Sequence, residues 1–86
     1  MSHYISIKYH RKYYLYARSE DMSHKSALNR ATFKAADTFK HVYNSSIDVR
    51  KIKSDINANA YIKIYQTYDE YFAETKDIPL GDKYYI

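Results

Sequence analysis

Tyr9–Arg18 reads YHRKYYLYAR, ten residues with four tyrosines and four basic or potentially basic side chains. Its alternation decides how a sheet would be laid out. Along residues 12–18, Tyr13, Leu15 and Ala17 share one face, and Lys12, Tyr14, Tyr16 and Arg18 share the other. Upstream, residues 4–9 (YISIKY) alternate in the same way. Ile5, Ile7 and Tyr9 point one way, and Tyr4, Ser6 and Lys8 the other. A turn at His10-Arg11 makes the two runs a hairpin. That dipeptide lacks the Asn-Gly or Gly-X signature of a tight turn, so one long strand is the competing layout. Hydrophobicity assigns Leu15 to the face of Ile5 and Ile7, and Tyr14 and Tyr16 to the opposite face.

Beyond Arg18 the period changes. Ser19, Ser23 and Ser26 can each cap a helix, and Glu20 and Asp21 suit its first turn. Leu28, Ala31, Ala35, Phe39 and Val42 then recur every three or four residues, which predicts a helix over 22–43. Residues 46–54 (SIDVRKIKS) read as a third strand with Ile47 and Val49 inward, although Ile52 falls out of phase. DINANA (55–60) reads as a turn, and 60–66 (AYIKIYQ) as a fourth strand. There Ile62 and Ile64 oppose Tyr61, Lys63 and Tyr65. Residues 67–77 suit a short helix with Tyr68, Tyr71 and Phe72, and IPLGDKYYI (78–86) a turn with an extended end.

The expected fold is α+β with order ββαββ. It is a four-stranded antiparallel sheet with one long helix on one face (residues 1–66), followed by a C-terminal arm (67–86) on the same single domain. The expected core joins Ile5, Ile7, Leu15, Val49, Ile62 and Ile64 to Leu28, Ala35, Phe39 and Val42.

Composition removes several function classes. The 86 residues contain no cysteine, one glycine and one proline. Disulfides, cysteine–zinc sites, thiol nucleophiles and phosphate-cradling glycine loops are therefore absent. No apolar run is long enough for a membrane span and no signal-peptide layout opens the chain, so the expected setting is cytoplasmic. His3, His10, His24 and His41 form no helix-borne metal spacing. A histidine-dependent ribonuclease using His24 or His41 is chemically conceivable, but no nucleophile, base and orienting group can be named together. The expectation is a protein without cofactor or catalysis.

Charge is uneven. Residues 1–53 hold eleven Lys/Arg against four Asp/Glu, and residues 54–86 hold three against six. A basic body suits a polyanionic partner. The sheet face left open by one helix would present Tyr14, Tyr16, Tyr61 and Tyr65 to stack bases. Lys12, Arg18, Lys63 and Arg50 would hold phosphates. Flat rings interleaved with cations suit RNA or single-stranded DNA. Phe33 lies on the charged side of the long helix near Arg30 and Lys40, and the three extend the candidate binding surface. Two other readings compete. Such a short tyrosine-, lysine- and isoleucine-rich chain also looks like small accessory proteins of phages and mobile elements. Those often inhibit or regulate a host protein or ribonucleoprotein complex by occupying its surface, components of anti-viral defence among them. The arm could also cover the tyrosine face as a second core, or pair two copies into a homodimer.

Overall fold

The computed structural model describes all 86 residues. Strands β1 (Ser2–Tyr9) and β2 (Lys12–Ser19) form an antiparallel hairpin in which Tyr9 pairs with Lys12 and Ser2 with Ser19. The loop is His10 and Arg11 alone, and both take positive φ, 51° and 67°. Two left-handed residues give the mirror-image turn whose twist matches paired strands. Histidine enters this region more readily than most side chains. The His10 ring is also held edge-on to Tyr9 at 4.4 Å and lies 5.3 Å from Phe39.

This loop overturns the expected faces of β2. With two residues in the turn, even positions of β2 pair with odd positions of β1. Ile5 lies opposite Tyr16 and Ile7 opposite Tyr14. Tyr14 and Tyr16 therefore share the face of the isoleucines and are completely buried, while Leu15 and Tyr13 face the other way. Hydrophobicity misassigned them because the large apolar body of a tyrosine ring fills a core as a leucine does. The Tyr16 hydroxyl donates to Glu20 at 2.8 Å.

Helix α1 (His24–Val42) falls within the expected bounds, with the Ser23 side chain accepting from the Ser26 amide. Its buried face is Ala27, Ala31, Thr32, Ala35 and Ala36. Leu28 and Phe39 pack at its margins, and Val42 is largely exposed. Small residues let the helix approach a sheet whose own side chains, Tyr14 and Tyr16, are large.

The expected third strand is a helix. Helix α2 (Val49–Asn59) begins at Asp48, whose carboxylate accepts from the Arg50 amide at 2.8 Å. Val49, Ile52 and Ile56 recur at helical spacing, and Ile52 and Ile56 are buried. The phase break at Ile52 is the helical period itself. Ile47, expected inward, is exposed.

Strand β3 (Tyr61–Tyr65) pairs antiparallel with β1. Helix α3 (Tyr68–Thr75) is capped by Thr67 and carries Asp69 and Glu70 in its first turn. A 3₁₀ turn at Leu80–Asp82 leads to β4 (Lys83–Tyr85), which joins β2 in parallel. The sheet is thus mixed, in the order β3-β1-β2-β4, and the chain order is ββααβαβ. Helices α1 and α2 cover one sheet face, and α3 covers part of the other. No helix is long and apolar enough to cross a membrane.

Candidate functional site

The face under α3 is built from three rows of side chains that run across the strands. The register places Tyr61, Lys8, Tyr13 and Lys83 side by side on β3, β1, β2 and β4. The next row is Lys63, Ser6, Leu15 and Tyr85, and the third is Tyr65, Tyr4 and Ala17. Directly opposed side chains on neighbouring strands stand about 4.5–5.5 Å apart at Cβ.

Helix α3 sits over the third row. Tyr71 packs its ring 5.9 Å from Tyr4 and 5.8 Å from Tyr65, and forms a second small core with Leu15 and Tyr65. The arm is therefore docked on this face. It stops short of the first row, where a cleft of about 560 Å³ opens. Ser6, the smallest side chain of the middle row, lies at its base. Tyr61, Lys8 and Tyr13 form one wall, and Glu74, Thr75 and Ile78 the other.

Charge in the cleft is mixed. The Lys63 ammonium lies 2.5 Å from Glu74 and 5.4 Å above the Tyr65 ring. Their hydrogen bond lowers the Glu74 pKa and raises that of Lys63. The Lys8 ammonium stands 5.3 Å over the Tyr13 ring and takes part in no ion pair, so its charge is free for an incoming anion. Tyr61 is 69% exposed.

The expected site residues scatter. Tyr61 and Lys63 stand on the open strip, as the alternation of β3 requires. Tyr65 is on the same face but buried under α3, its hydroxyl 3.0 Å from Ser6 Oγ. Tyr14 and Tyr16 lie beneath α1 and cannot stack a base. Lys12 is tied to Asp82 at 3.0 Å and the Gly81 carbonyl at 2.9 Å. Arg18 donates twice to the Ile86 carbonyl, at 3.2 and 3.0 Å. Arg50 is on α2, not on the sheet, and pairs with Asp48 at 3.1 Å. Lys40 donates to the carbonyls of Ser45 and Ile47 and closes the α1–α2 connection. Arg30 lies 3.9 Å from Glu20, and Phe33 is 46% exposed on the outer side of α1. Lys12, Arg18 and Lys40 are thus engaged in ties between segments, and Arg50 in an exposed local pair with Asp48. Sequence reasoning missed Tyr13, and gave Lys8 a place on the face but no role. The signal that finds Tyr13 is the two-residue turn, whereas the alternation of β1 already places Lys8.

A second electrostatic feature lies on the opposite side of the sheet. Residues 24–59, which make up α1, α2 and their connection, hold seven Lys/Arg against three Asp, or +4. The rest of the chain balances seven against seven, so this layer carries the whole formal charge.

The histidines do not converge. His3 is buried, with Nε2 3.1 Å from the Met22 carbonyl and Nδ1 2.9 Å from His24 Nδ1. Since His3 Nε2–H donates to that carbonyl, His3 Nδ1 accepts and His24 Nδ1–H donates. His10 packs in the turn, and His41 Nδ1 donates to the Asp37 carbonyl at 2.8 Å. No three side chains from His, Cys, Asp and Glu are grouped as metal ligands would be. Comparison with protein-family models, curated proteins and solved structures finds no match for this chain.

Proposed function

We propose that the protein is a non-catalytic module that binds RNA or single-stranded DNA at the open strip of the sheet. The row Tyr61–Lys8–Tyr13–Lys83 carries this reading, because it alternates ring and cation across four strands. An unstacked base gains about 1–3 kcal/mol on an aromatic ring, and an unpaired ammonium beside it meets the phosphate. Tyr61 is the principal stacking ring, Tyr13 a second, and Lys8 the phosphate contact.

Fluorescence anisotropy of labelled single strands, titrated at several salt concentrations, tests the roles. Tyr61→Ala weakens binding roughly five- to 150-fold with the salt slope unchanged. Lys8→Ala reduces the slope by about 0.7, the value for one phosphate contact on a single strand. Absence of binding even at low salt removes the reading, and equal slope changes from both variants remove the assignment of roles.

A second reading draws on Phe33, exposed on α1 beside Arg30. An aromatic ring with a neighbouring arginine suits an interface hot spot. In this reading the chain is a phage or mobile-element accessory protein that occupies a host protein surface. Its complex would survive nuclease treatment, whereas a nucleic-acid-bridged one would not.

A further inference from the structure

Helix α3 has two exposed flanks, and only one borders the cleft. The other bears Tyr68 and Phe72, 50% and 49% exposed, with ring centroids 5.8 Å apart and planes 19° from parallel. Tyr85, 69% exposed, stands across a groove of about 310 Å³ with Ala17 at its side and Lys76 and Lys83 at its margin. The Lys83 ammonium lies 5.8 Å over the Tyr85 ring. Single exposed rings are ordinary, but a stacked pair with a third ring facing it across one groove, from two separate segments, marks a contact surface.

The order of charge along α3 identifies the occupant. Asp69 and Glu70 lie in its first turn, Phe72 near its middle, and Lys76 immediately after its end. We propose that this surface packs against the same surface of a second copy of the chain, with the two α3 helices antiparallel. A twofold axis near Phe72 sets the rings of both copies against each other. It brings Asp69 of each copy towards Lys76 of the other. Parallel packing would instead set acid against acid and lysine against lysine. Twofold association requires a self-complementary patch, and the sequence of acid, ring and base along one helix supplies it. A strongly acidic partner would meet Asp69 and Glu70, and a strongly basic one Lys76 and Lys83. The contact uses neither Tyr61 nor Lys8, the residues that the nucleic-acid titration reads, and shares only Lys83 with their row.

Sedimentation equilibrium of the purified chain over a range of concentrations tests the pairing. The expected result is a mass that rises from one chain to two. Phe72→Glu, at a half-exposed position, raises the dissociation constant about thirtyfold or more. Asp69→Lys and Lys76→Glu each weaken the dimer, and the double exchange restores it, which a damaged fold could not do. A wild-type chain that stays monomeric at its highest soluble concentration overturns the proposal. So does a dimer indifferent to Phe72→Glu, or a double exchange that fails to restore association.

Discussion

The two faces of the sheet are finished differently. On one, helices of 19 and 11 residues close over Ile5, Ile7, Tyr14 and Tyr16, and eleven buried residues form one cluster. On the other, an eight-residue helix covers the third row and Leu15 of the middle row but not the first row, and the buried cluster has three members. Alanines facing large rings let the first pair of layers come close, and its outer surface carries the +4 charge together with the exposed Phe33 and Tyr43. The second face leaves Tyr61, Tyr68, Phe72 and Tyr85 in solvent. A chain this short has little apolar material to spare. Large rings outnumber alanines on the second face while alanines line the helix side of the first, so most of the buried core belongs to the first face.

The largest expected effect tests that division. Ile56→Ala removes a fully buried side chain from beneath α2 and costs about 2–5 kcal/mol. That is a large part of the stability of a small domain. Tyr71→Ala should cost less and act locally. Amide exchange should quicken in residues 68–75 and stay slow in α1 and α2. If Tyr71→Ala destabilised the whole domain as much as Ile56→Ala does, the two faces would be one cooperative unit.

Alkaline titration probes both faces at once. Burial, together with the hydrogen bond and the charge of Asp55, pushes the Tyr9 pKa from 10.0 up to about 12 on the first face. Burial first, then neighbouring tyrosines, moves Tyr71 to about 12 on the second. In each case the folded state holds the proton more tightly than the unfolded chain. The stability is therefore fully present below pH 10 and is lost as the pH rises towards 12. Denaturant melts across that interval, read with tyrosinate absorbance, should show the midpoint falling. A constant midpoint would mean that neither ring is held as buried as its packing implies.

The smallest expected effect separates two neighbours on the first face. The Tyr14 hydroxyl is buried without a hydrogen-bond partner, whereas that of Tyr16 donates to Glu20. Tyr14→Phe should raise stability and Tyr16→Phe lower it, each by about 1 kcal/mol. A loss of stability in both under chemical denaturation would show that the Tyr14 hydroxyl has an outlet after all, and a gain in both that the Tyr16–Glu20 bond contributes nothing.

Much of this architecture was legible in the chain. The α+β class, the strands at both ends of the hairpin, α1, β3 and the short helix with Tyr68, Tyr71 and Phe72 all follow from period and capping. Two local ambiguities hid the rest. Ile47 and Val49 mimic strand alternation, and only Ile52 and Ile56 together reveal the helical period of α2. His10-Arg11 has none of the glycine or asparagine that announces a left-handed turn. The parity of β2 was therefore assigned from hydrophobicity, in a chain that uses tyrosine both as core and as surface. The site inherited that error: Tyr61 and Lys63 were legible from β3, whereas Tyr13 required the turn. The parallel edge strand β4 is three residues long and pairs with a segment far away in sequence, so no local pattern announces it.

The strand order also sets the entropy of assembly. The central pair, β1 with β2, is closed by two residues, whereas setting Lys83 beside Tyr13 closes a loop of about 70 residues. The cheapest closure thus occupies the middle of the sheet and the most expensive one its margin. That margin is secured by three residue pairs and by the Lys12–Asp82 tie. In chain-closure terms the hairpin is the least costly pairing of the sheet, and Tyr85, an exposed ring, sits on the strand whose pairing partner is farthest away in sequence.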